Sequence, residues 1–272
     1  MINHRARPDR PEPRIDSPYW PVARILGRGY ATATFAASEV APDRRENASA
    51  AEGVFPIFDP PGPRAPDAWA TIAAWAWAAS RALDFLVAQP AIDASRIAVI
   101  GHSRSGKSAL WAGAQDERFA LVVSNDSGCT GAALARGKTG ERIADINRQF
   151  PHWFCENYCA YGDREDDLPV DQHLLLAAIA PRLLAVGSAT DDATADPRAE
   201  FRSCVLAGPV YQLLGCADVG TTEFPVPDTA LHAGRIGYHL RAGGHGLTEF
   251  DWDRYLDFAD QQLGAPRKTG SQ

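Results

Sequence analysis

An apolar run, Arg96-Ile97-Ala98-Val99-Ile100, passes without a spacer into Gly101-His102-Ser103-Arg104-Ser105-Gly106-Lys107. No other feature of the chain constrains the fold as strongly. A continuous apolar pentad bounded by turn formers is the pattern of a strand buried on both faces. The small residues that follow, ahead of a helical stretch at about 105–114, predict a sharp strand-to-helix turn carrying an exposed serine. Such turns need glycine because the backbone is strained and passes close to its neighbours. The usual G-x-S-x-G spacing is altered here, since Ser105 takes the fifth position and Gly106 comes one later.

Similar alternation runs along the chain. Strands are predicted at 30–36, 96–100, 119–124, 182–186 and 236–240. Helices are predicted at 21–26, 68–87, 105–114, 172–179, 200–214 (broken near Gly208-Pro209) and 250–263. Residues 37–67 read as a long surface loop and 125–170 as an irregular insertion. Strands separated by helices predict a parallel sheet covered on both faces. The organisation is then a loose arm at 1–18, a single domain at 19–264 with its insertion at about 125–170, and a tail at 265–272.

Composition narrows the function. The 272 residues carry 27 Lys plus Arg against 34 Asp plus Glu, a net charge of −7, which argues against a nucleic-acid partner. No stretch reaches the ~18 uninterrupted apolar residues of a membrane helix, so no membrane partner is expected. The first residues, Met1 to Arg7, lack the apolar core of a signal peptide, which makes the chain as it stands cytoplasmic in type. Five cysteines (129, 155, 159, 204 and 216) form an odd, widely spaced set. Cys155 and Cys159 read as small buried hydrophobes rather than zinc ligands, and no metal or cofactor is expected.

A serine on such a turn needs a base and an acid that orients it, and in sheets of this kind the chain order is Ser, then Asp or Glu, then His. His245, in Gly243-Gly244-His245-Gly246 directly after strand 236–240, emerges where a base must emerge. His239 falls inside the strand and is expected to pack. His152 belongs to the insertion and is placed to line the pocket. Two acids compete to orient His245: Asp126 after strand 119–124, and Asp191 or Asp192 after strand 182–186. Position alone does not separate them. Arg104 and Lys107 add two cations beside the serine, which suits an anionic substrate or a developing oxyanion.

Together these residues resemble the glucuronoyl esterases, carbohydrate esterase family 15, of the α/β-hydrolase superfamily. The family's nucleophile signature is G-C-S-R-x-G-K, where this chain has GHSRSGK with His102 in the cysteine's place. The likeness continues through WAGAQDERFALVVSNDSG, FPHWFCENY, LPVDQH, ADPRAEF, AGPVYQLLG and GGHGLTEFDW. It covers roughly residues 19–264.

The resemblance implies an α/β-hydrolase sheet sandwiched by helices, lacking counterparts of the first strands of that fold. It implies Ser103 as nucleophile, His245 as base, Arg104 at the oxyanion, and Lys107 on the hydroxyl groups of a glucuronate. Glu141 matches a sugar-contacting glutamate, while Asp126 and Asp192 match the two places where the family puts its acid. The activity implied is hydrolysis of 4-O-methyl-glucuronoyl esters joining xylan to lignin alcohols, without a cofactor. Relatives are generally exported.

One family position differs in a way that bears on substrate. In D-x-W-A-D-P the tryptophan is replaced by Thr194, which removes a large aromatic surface from the sugar site. That favours two alternatives, an esterase for acetylated xylan or small esters, or a shortened relative without turnover. The missing early strands also leave one flank of the sheet open to the arm or to a second copy of the chain.

Overall fold

The computed structural model describes residues 2–3, 16–46, 50–137 and 139–266. In chain order the strands are β1 (Ile2–Asn3), β2 (Phe35–Ala36), β3 (Ala98–His102), β4 (Leu121–Asn125), β5 (Leu183–Ala189), β6 (Thr229–Leu231) and β7 (Ile236–Arg241). The helices are α1 (Val22–Gly27), α2 (Ala37–Val40), α3 (Phe55–Phe58), α4 (Thr71–Val87), α5 (Arg104–Gln115), α6 (Ile143–Gln149), α7 (Gln172–Ala177), α8 (Pro197–Leu213) and α9 (Glu249–Leu263).

The main sheet runs β3-β4-β5-β7-β6, with its first four strands parallel and β6 antiparallel to β7. Four of the expected strands are therefore present, with boundaries that differ by at most three residues. Their side chains alternate between two cores, as a pleated strand requires. Val99, Val122, Leu184, Val186 and Tyr238 face the cluster that contains Trp75, Leu110 and Tyr211. Ile100, Leu121, Val123, Leu183 and Ala185 face the opposite cluster, built with Trp252, Leu256 and Phe258 of α9. The expected helix-sheet-helix sandwich is what the chain adopts.

Several expectations fail. Tyr30 to Ala36 is not a strand of the main sheet. Only Phe35–Ala36 forms a strand, pairing in parallel with Ile2–Asn3, which lies against β3 and α5. β-propensity alone does not make a strand without a partner edge. The arm is thus structured at 2–3, while residues 4–15 lie outside the described residues, as do 267–272 of the tail.

Residues 37–67 are not a simple surface loop. Ala37, Ala41 and Phe55 are buried, and the Trp75 indole of α4 donates to the Ala41 carbonyl at 2.9 Å, pinning the segment to the core. The supposed insertion at 125–170 begins as buried wall, from Asn125 to Ala135, and contains α6. Helix α8 continues through Gly208-Pro209 without a break, and β6 was not anticipated. Cys155 is half-buried and Cys159 exposed, so neither is the buried hydrophobe expected, whereas Cys129 and Cys204 are. Among the described residues no helix is long and apolar enough to cross a membrane.

Candidate active site

The parallel strands all deliver their C-terminal ends to one edge, and the chemistry gathers there. Ser103 sits between β3 and α5 with φ 57° and ψ −126°, a conformation non-glycine residues rarely adopt. Its amide donates to the Asn125 carbonyl at 2.8 Å, which fastens the turn to β4. Two glycines make the turn possible. A Cβ on Gly101 would lie 1.9 Å from the Ser105 carbonyl oxygen, and one on Gly106 would lie 2.8 Å from Ser127 Cβ. Ser105 is fully buried in the small position between them.

His245 is held by Asp192. Its Nδ1 is 2.6 Å from Asp192 Oδ2, and the side chain is 46% exposed. Burial, the largest influence on Asp192, pushes its carboxyl up. Hydrogen bonds from His245 and the Ala195 amide nevertheless bring it below the ordinary range. The imidazole of His102, next to Ser103, packs 4.6 Å from His245 between ring centroids. His102 itself is fixed through Nδ1 to Asn125 Oδ1 at 2.8 Å. No hydrogen bond joins Ser103 to His245 among the described residues.

The second acid has a different environment. Asp126, at φ 43°, accepts the Gly246 amide at 3.0 Å and has its other oxygen buried without a partner. Ligand atoms of Asp126, Asp192 and His245 lie within 4.8 Å of one another. Burial first, then the nearby Glu200 charge, pushes the Asp126 carboxyl up to about 9. Glu200 is itself buried and raised to about 7, accepting from Ser188 Oγ at 2.5 Å and the Gly128 amide at 2.9 Å. Strand position leaves the two acids equivalent, but their contacts differ: Asp192 touches the imidazole, and Asp126 touches the backbone beside it.

The cations are less free than their spacing suggested. The Arg104 guanidinium packs over Phe150 and Trp153, 5.2 and 4.8 Å from their ring centroids, and pairs with Asp43. Lys107 is buried, with its ammonium on the carbonyl oxygens of Ser127 and Cys129 rather than in an open pocket. His152 is engaged with Asp43 instead. Its ring is buried with Nε2 2.9 Å from Asp43 Oδ1, and it also walls a separate cavity of about 490 Å³ near Phe55 and Phe154. The Glu141 amide donates to the Thr194 carbonyl at 3.1 Å, so the two residues are neighbours. Asp43, in a segment read as surface loop, was missed entirely. It is one of several acids there, with Glu39 and Glu46 close by, and nothing along the chain sets it apart.

The family model for fungal glucuronyl esterases matches residues 15–215. The chain belongs to the glucuronoyl esterase family. Among solved members, the glucuronoyl esterase of Solibacter usitatus is 45% identical, covering 91% of this chain and 63% of that one, with a TM-score of 0.86. A promiscuous CE15 esterase from a marine bacterial metagenome is 43% identical, covering 89% and 61%, with a TM-score of 0.82. The 4-O-methyl-glucuronoyl methylesterase 1 of Phanerochaete chrysosporium is 33% identical over 70% of this chain and 41% of its own length. The chain spans less than two thirds of each of these family members. Its sheet and helices follow the glucuronoyl esterase arrangement.

Proposed function

We propose that this chain is a serine carboxylester hydrolase acting on 4-O-methyl-glucuronate esters of the xylan–lignin type. The observation that carries this is the 2.6 Å contact between His245 and Asp192 at the strand edge where the strained Ser103 emerges. In this reading the Ser103 hydroxyl attacks the ester carbonyl as its proton passes to His245 Nε2. The imidazolium, oriented by Asp192, then gives that proton to the departing alcohol. Water, deprotonated by the same imidazole, hydrolyses the acyl-serine and releases the uronate.

Negative charge on the tetrahedral oxygen is met by the Arg104 backbone amide and guanidinium. Glu141 is assigned to a sugar hydroxyl. Lys107 is assigned to the floor beneath the sugar, where its charge is felt through the 127–129 turn it holds. His152 acts at one remove, through Asp43.

Similarity to glucuronoyl esterases over most of this chain supports the substrate class. Thr194 supports a second reading, in which small or acetyl esters are also cleaved because no aromatic plate selects a pyranose. Wild-type protein and Ser103→Ala assayed on benzyl glucuronate and p-nitrophenyl acetate test both. Glucuronate turnover abolished in the variant supports the first reading, and acetate turnover alone supports the second. Background rates on both esters from folded protein defeat the proposal.

A further inference from the structure

His245 stands in a segment with three glycines in four residues, 243–246. Such a segment loses more conformational freedom on ordering than any other, so something must hold it. Beneath it lies Arg241, the last residue of β7, whose side chain is only 10% exposed. Its Nη1 donates to the Ala242 carbonyl at 3.0 Å, and its Nη2 to the carbonyls of Gly244 at 2.9 Å and Gly246 at 3.1 Å. The carbonyl acceptors thus flank the histidine on both sides.

Arg241 is itself anchored. Its Nε donates to Asp251 Oδ2 at 3.0 Å, and Asp251 is fully buried. Asp251 also receives His239 Nε2 at 2.9 Å, the Thr248 amide at 2.8 Å and the Thr248 hydroxyl at 2.7 Å. The carboxylate therefore closes the first turn of α9 and braces the guanidinium at once. A planar fork with five donors can bridge an acid and three carbonyls; an ammonium cannot.

We propose that Arg241 is a positioning residue for the reaction, holding the backbone around His245 so that the imidazole meets Asp192 and Ser103 together. This rests on the reading of Ser103 and His245 as nucleophile and base. It assigns to Arg241 no contact with substrate.

The test compares Arg241→Ala and Arg241→Lys with wild type, using ester turnover and the rate of Ser103 labelling by a fluorophosphonate. The label needs an activated serine but no sugar recognition. In Arg241→Ala, kcat and labelling rate are expected to fall about 100-fold with KM within about twofold, the scale of a base displaced by about 1 Å. Millimolar guanidinium is expected to restore at least a tenth of each. Arg241→Lys, which keeps the charge beside Asp251, is expected to lose at least tenfold without rescue.

Should Arg241→Ala fail to fold, Arg241→Lys decides. Wild-type labelling in either folded variant, or a loss carried by KM, overturns the proposal. Were glucuronate not the substrate, turnover would be absent in every form while the labelling pattern persisted.

Discussion

Asp43 and Arg104, 61 residues apart in sequence, form an ion pair in which the same carboxylate also receives His152 Nε2 and Trp153 Nε1, each at 2.9 Å. Burial acts most strongly on Asp43 and pushes its carboxyl up, yet these donors and the arginine carry it well below the usual range. One acid thus fixes the cation beside the serine and the aromatic wall behind it. Asp43→Ala is expected to lower kcat on glucuronate esters about 10- to 100-fold, because the guanidinium loses its bearing while the backbone amide remains. Steady-state kinetics with a thermal melt separates this from unfolding.

The two acids near His245 are expected to behave unequally. Asp192→Asn removes the carboxylate on Nδ1 and is expected to cost about 100- to 10,000-fold in kcat. Asp126→Asn is expected to stay within about threefold, since an amide oxygen can still accept the Gly246 amide. The pair, assayed side by side, tests the assignment; equal losses would refute it.

Asp126 also predicts a pH dependence of stability. With its carboxyl raised to about 9, the folded protein holds a proton that the unfolded chain releases above its ordinary carboxylate pKa of about 4. This contribution is full at low pH, declines as pH rises through that interval and levels off near 9. Melting curves of wild type and Asp126→Asn from pH 5 to 9 are expected to diverge, with the variant gaining relative stability at the alkaline end.

Thr194→Trp is expected to restore an aromatic surface beside Glu141. A fall in KM of about three- to tenfold is predicted for benzyl glucuronate, with little change for p-nitrophenyl acetate. Parallel KM measurements check it.

Gly101→Ala is expected to destabilise the chain by about 3 kcal/mol or more, because the added carbon collides with backbone rather than a movable side chain. Denaturant midpoints measure this directly.

Much of this architecture was readable beforehand, for identifiable reasons. The strands of the parallel sheet announce themselves because burial on both faces leaves uninterrupted apolar runs, and Ser103 and His245 follow from where those runs end. The strand expected at 30–36 failed because its alternation carried no information about a pairing edge. Ala37 and Phe55 looked like loop because their burial depends on Trp75 reaching across to them. Asp126 and Asp192 were indistinguishable along the chain, since both follow strand ends and only side-chain direction separates them. Asp43 was invisible because each of its partners comes from a distant segment.

The strand order carries one more implication. Neighbouring strands lie about 4.8 Å apart, so β3 and β7, three steps from each other, are about 14 Å apart at the rim. Three residues lie between the end of β7 and His245, and the four Cα–Cα steps would reach about 13–14 Å if extended. Instead of running straight, the segment bends at 242–245 and turns the carbonyls of Ala242, Gly244 and Gly246 onto Arg241. Deleting one residue from 242–244 would draw that curl tight and pull its carbonyls off the guanidinium, whereas side-chain changes at Ala242 would leave the path of the backbone intact.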